Sequence, residues 1–187
     1  MFAGMLGFAV LLGGCSAAQK EATEAAISAS QTAINAAQGA AEKYVPEQTK
    51  AAQDALQAAK DALAKGNYEE ALKDTKEATD KAKAALDAAK AKKEEWTNTW
   101  NNLSQSAPKT MNEVQAKLDA YKKNGKLPPG VDQTTMDSAN AQFDQLKQSW
   151  ADATAAYKNG NLADAMQKAS TLKEGLQKLK DLLGIQS

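Results

Sequence analysis

The chain of 187 residues contains no histidine, no arginine and a single cysteine, Cys15. Each absence removes a class of chemistry. Without His, no side chain titrates near neutrality in its ordinary state, and the commonest metal ligand is missing. Without Arg there is no planar fork to grip a phosphate or a guanine edge. The 23 basic residues are all Lys and are balanced by 23 acidic ones. A net charge of zero gives little counterion release, so nucleic acid is not an expected partner. One cysteine leaves no intrachain disulfide.

Large apolar residues are scarce as well. Leu, Ile, Val and Phe together occupy 27 of 187 positions, about 14%, where a chain below roughly 20% with high net charge tends to disorder. The charge half of that condition fails here. Alanine, the strongest helix former, takes the place of the missing bulk. These features predict an all-α fold of long helices with thin, close-packed seams. We expect antiparallel helical hairpins in an elongated bundle: two related hairpins plus an Ala-rich N-terminal helix.

Residues Leu6 to Leu12 (LGFAVLL) form an apolar run of signal-peptide length, too short to span a bilayer. Leu12-Gly13-Gly14-Cys15 follows, with two small residues between Leu and Cys. This resembles the lipobox of bacterial lipoproteins. The resemblance implies that residues 1–14 are a signal peptide, cleaved between Gly14 and Cys15. In that family a diacylglyceryl group is transferred to the cysteine thiol, here Cys15, before this cleavage, and a fatty acid such as palmitate is joined to the new amino terminus after it. Ser16 in place of Asp implies sorting to the outer membrane, facing the periplasm. Met1 to Met5 carry no Lys or Arg, although such a leader should begin positively charged, so the true start is expected upstream. The plainer alternatives are an ordinary signal peptide with an incidental Cys, or an apolar start to a cytosolic protein.

Residues 15–44 read as a lipidated helical stalk. Ile27, Ile34 and Ala41 recur every seven, with Ser30, Ala37 and Tyr44 three behind each, which makes a narrow seam. A packed helix of the bundle accounts for that seam equally well. Residues 45–105 read as a first hairpin. Pro46 suits the first helical position, Gly66 a left-handed helix end, and Asn67 with Glu70 a capping box. A break is expected at Ser106-Ala107-Pro108, with a short helix and a loop filling 106–131. Asp132 caps a second hairpin over 132–187. That hairpin repeats the first: LQAAKDALAKGNYEEAL (56–72) aligns with WADATAAYKNGNLADAM (150–166) at an offset of 94.

Ala26-Ile27, Ala33-Ile34, Tyr44-Val45-Pro46-Glu47 and Gly66-Asn67-Tyr68-Glu69-Glu70-Ala71 together resemble a family of helical bacterial envelope lipoproteins classed as a domain of unknown function. The resemblance covers about residues 22–92 and implies an exported all-helical protein with no known activity. The GNYEEAL turn is similar to the inter-helix turn of tetratricopeptide repeats, but the Trp/Leu-Gly/Tyr pattern of their first helix is absent.

Carboxylates fall in runs shared with Lys, at spacings such as Glu77–Lys81 that belong to a solvated helix face. No glycine-rich phosphate loop, catalytic triad or calcium loop is present. The chain is therefore not expected to be an enzyme, and no cofactor or metal is expected. The aromatic set admits two readings. Trp96, Trp100, Trp150 and Tyr157 are either core, where the hairpins meet, or a candidate interaction surface. The function expected from all this is a lipid-anchored envelope protein with a scaffold or adaptor role. It would hold the membrane through Cys15, and contact an envelope protein or a second copy of itself. The alternative is a periplasmic carrier or chaperone for an apolar ligand or lipid in an aromatic-lined groove.

Overall fold

Alanine and leucine at alternating three- and four-residue intervals produce five helices in the computed structural model. They are α1 (Gly13–Ala41), α2 (Pro46–Ala64), α3 (Tyr68–Asn124), α4 (Gln133–Lys158) and α5 (Leu162–Leu182). The structure describes residues 13–185, with side chains from 17 onward, and no strand occurs among the described residues. The chain divides into two units at Lys92/Lys93, inside α3. One unit is built from α1, α2 and the first part of α3; the other from the rest of α3 with α4 and α5.

The offset of 94 seen in the sequence is a structural repeat. Both hairpin turns close in the same way. Gly66 and Gly160 take φ of +77° and +75°. The Asn67 amide donates to Ala62 O and the Asn161 amide to Ala156 O, each at 2.9 Å, while Gly66 and Gly160 donate to Leu63 O and Tyr157 O. These are paired carbonyl caps of the Schellman kind. They also explain a difference at Asn67. Its N–H is committed to Ala62, so the expected reciprocal capping box does not form. Instead the Asn67 side-chain amide donates to Glu70 Oε2 at 3.1 Å.

Equivalent core positions differ in size in one direction. Next to the turns both units keep alanine, with Ala59 and Ala71 matching Ala153 and Ala165, all fully buried. Farther from the turn, Ala78, Ala82, Ala85 and Ala89 match Leu172, Leu176, Leu179 and Leu183. Three extra carbons at each of four sites, at about 0.8 kcal/mol per buried methylene, give the second unit roughly 10 kcal/mol more burial. Its core gathers Phe143, Leu146, Val114 and Leu118 around those leucines. The first unit closes around Ile27, Ile34 and Leu56 with alanines.

Two expectations need correction. The break at Ser106-Ala107-Pro108 does not occur, and α3 is helical through it. Pro108 points to solvent while Ala107 is buried. Its missing N–H removes the donor that would otherwise face the Ser104 carbonyl, and packing of Leu103, Val114 and Leu118 against α4 and α5 outweighs the helix penalty. The short helix expected within 106–131 is thus the end of α3, which runs unbroken past residue 105.

The second correction concerns the stalk. From Thr23 onward α1 is packed, with Thr23, Ile27, Ser30, Ile34, Ala37 and Ala41 forming its buried stripe. Thr79 Oγ1 lies 3.0 Å from Ser30 Oγ, which donates to Thr75 O at 3.4 Å. Ala41 meets Ala85 and Ala89. The seam is filled by α2 and α3, as the packed-helix alternative has it. The Asp132 cap is present: its carboxylate accepts from the Thr135 amide at 2.8 Å.

Candidate functional site

Three of the four aromatic residues singled out in the sequence meet in one place. Trp150 and Tyr157 are seven apart on α4, so two helical turns, or about 10.5 Å of rise, separate them. The Trp100 indole from α3 stacks on Trp150 at 5.5 Å and 21° between planes. It stacks on Tyr157 at 4.7 Å and 16°. The two separations add up to nearly the rise between the α4 rings, which places Trp100 between them with a ring on each face. Trp100 is only 3% exposed. Trp150 is half-buried and packs on the core of the second unit, while Tyr157 is 36% exposed and forms the outer face. Stacked pairs of this kind add about 0.5–1.5 kcal/mol each beyond their buried area. Trp96 stands one turn before Trp100 on α3 and is half-buried.

The stack therefore fills its own space. No groove remains between the rings for an apolar guest, although the outer face of Tyr157 is open to one. The sequence pattern brought these residues to one helical stripe; the interleaving depends on α3 continuing past residue 100 alongside α4.

The lipobox lies differently with respect to the structure. Residues 1–12, including the apolar run and Leu12, are outside the described residues. Gly14 and Cys15 belong to the first turn of α1 in the backbone, and their side chains are outside the described set. Residues 17–22 are all exposed, and the buried stripe begins only at Thr23. Cys15 is thus separated from the first packed residue by eight helical positions, about 12 Å.

Two further concavities occur in the second unit. One, of about 530 Å³, lies at the end of α3 against the start of α4, lined by Leu118, Leu127 and Met136 together with Lys122, Asp137 and Asp144. Several of its polar groups are engaged with neighbours. Gln133 donates to Asp137 at 2.8 Å, and the Tyr121 hydroxyl donates to Leu183 O at 3.2 Å. The other, of about 370 Å³, runs between α3 and α5 beside Leu103 and Met166. Neither was marked by any sequence motif, because each is lined by segments distant in the chain rather than by one run of residues.

Charge on the surface is local. Lys50–Asp54, Lys76–Asp80, Glu77–Lys81 and Asp164–Lys168 pair at 2.6 to 2.8 Å, each one turn apart on a single helix. The hydrogen bond from Lys81 holds Glu77 below the usual carboxylate value, and the hydrogen bond to Asp164 raises Lys168. Asp132 is lowered by the Thr135 hydroxyl first and its amide second. Among the described residues no group of three or more acidic or cysteine side chains could hold a metal. No helix among them is long and apolar enough to cross a membrane.

No family model, curated protein or solved structure matches this chain.

Proposed function

We propose that this chain is a lipid-anchored protein of the bacterial cell envelope, held in the outer membrane by acylated Cys15 and acting as a scaffold or adaptor in the periplasm. The observation that carries the proposal is Leu12-Gly13-Gly14-Cys15 directly after an apolar run, in a chain with no other cysteine. The resemblance read from the sequence motifs of residues 22–92 is in keeping with this reading. Two or three acyl chains, at about 0.8 kcal/mol per buried methylene, would keep the protein on the membrane almost permanently.

The aromatic stack bears on the choice between scaffold and carrier. A carrier needs an unfilled apolar chamber. Trp100, covered on both faces, favours the scaffold. Within the first unit, Ser30 of α1 meets Thr75 and Thr79 of α3 and Ala41 meets Ala85 and Ala89, so the two helices run parallel. The α2–α3 turn at Gly66-Asn67 therefore lies at the end from which α1 starts. In this reading that turn is the membrane-proximal tip, with exposed Leu72 beside it.

The test is fractionation of bacteria that express the full chain or its Cys15→Ser variant. The proposal expects the wild type in the outer-membrane fraction, extracted only by detergent, and the variant out of it. An unchanged distribution would overturn it.

A further inference from the structure

We infer that α1 is a releasable strap: residues 23–41 undock from α2 and α3 while α2, α3 and the second unit stay folded. The inference rests on an inequality between two equivalent places in the fold. In the second unit, the helix that precedes the hairpin is the stretch of α3 that carries Leu103, Met111, Val114, Leu118 and Tyr121 into the core. In the first unit the corresponding helix is α1, whose large apolar side chains in the cluster are Ile27 and Ile34 alone. The rest of its buried stripe is Thr23, Ser30, Ala37 and Ala41.

What the release has to break is correspondingly small. Thr23 already bonds to Gln19 O of its own helix at 2.7 Å, so its hydroxyl loses no partner. Ser30 gives up a long bond to Thr75 O and a contact with Thr79, and Thr79 keeps its bond to Thr75 O at 2.9 Å. Lys60 to Gln31, at 2.6 Å, is an exposed bond that water replaces. The released helix stays largely helical but, without tertiary packing, opens and closes within about a microsecond, so its amides exchange from the undocked state. It is 29 residues long and rich in Ala, above the roughly 12–15 residues at which Ala-rich helices begin to persist alone. The exit is short as well: residues 42–45 join α1 to α2, which starts afresh at Pro46.

The hairpin left behind is better held. Leu56, Leu63 and Leu86 pack with its alanines, and its turn carries the full Schellman closure at Gly66. For an acylated Cys15, undocking would turn α1 into an arm of about 40 Å between membrane and bundle. That consequence rests on the lipid-anchor reading; the release itself does not.

Hydrogen exchange on the full chain tests it, with or without an acylated N-terminus. The expected result is that amides of 23–41 exchange at least tenfold faster than those of 49–62 in α2 and 165–179 in α5. A Ser30→Cys/Thr79→Cys pair in a Cys15→Ala chain supplies the control, since hydroxyls 3.0 Å apart bring the replacing thiols within disulfide reach. Oxidation should slow the α1 amides at least tenfold, and reduction should restore their rate. Equal protection in α1 and α2 in the unmodified chain would overturn the inference, whether both were slow or both fast. If the paired variant fails to fold, that comparison in the wild type still decides.

Discussion

The Trp100 indole stacks on the Tyr157 ring at 4.7 Å, on the face opposite Trp150. Burial of Trp100 against exposure of Tyr157 makes their roles unequal. Trp100→Ala removes a buried indole and leaves a cavity between two rings, at a cost of about 3–5 kcal/mol. Urea unfolding followed by circular dichroism measures this. Tyr157→Ala should cost less than half as much. In a Trp96→Phe/Trp150→Phe chain, the remaining Trp100 should emit in the blue and resist acrylamide.

Two glycines should respond to the same substitution with opposite signs. Gly39 is exposed inside α1, and a Cβ there meets nothing within 4 Å. Gly39→Ala should stabilise by about 0.5–1 kcal/mol through helix propensity alone. Gly175 is buried inside α5, where a Cβ would lie 2.6 Å from Leu146 Cδ2 and 3.2 Å from its Cγ. Leu146 sits in the core with little freedom to move aside. Gly175→Ala should lower stability by roughly 1–3 kcal/mol, the usual range for overpacking. Denaturant midpoints of the two variants settle both signs.

Pro108 offers a gain instead. Pro108→Ala restores an N–H opposite the Ser104 carbonyl and removes the ring from the α3 interior. The expected stabilisation is up to about 3 kcal/mol. A thermal unfolding midpoint no higher than wild type would show that the helix has relaxed fully around the ring.

Asp132 gives a pH dependence with a defined sign. Its bonds from Thr135, hydroxyl first and amide second, hold its carboxyl below the ordinary value of 3.8. A depressed folded-state value means that its contribution is complete above the ordinary value. That contribution is lost as pH falls through the depressed one. Asn is an equally good cap that cannot ionise. Asp132→Asn should therefore leave the unfolding midpoint near its neutral-pH value and flatten the decline below pH 4. The comparison is a set of thermal melts from acid to neutral pH.

Much of the fold was legible because its signals are local. Gly66 and Gly160 end helices by their own backbone freedom, and Asp132 caps α4 with its own carboxylate. The offset of 94 could be read because the duplicated hairpins kept their turn residues. The run through Pro108 could not, since it depends on contacts from α4 and α5, which no local rule contains. The placing of α1 was open for a related reason. A seam of Ile, Ser and Ala suits either a free stalk or a packed helix, and only the alanines of α2 and α3 decide between them. The aromatic cluster was visible as a helical stripe on α4, but the insertion of Trp100 between two of its rings requires the register of α3 against α4.

Anchoring at Cys15 is the central claim, and mass spectrometry of the N-terminal tryptic peptide of membrane-extracted protein tests it most directly. The account predicts a peptide that begins at Cys15 and ends at Lys20, heavier than CSAAQK by the mass of a diacylglyceryl group, with or without a further acyl chain. An unmodified Cys15 inside a longer peptide that still contains Leu12-Gly13-Gly14 would contradict it.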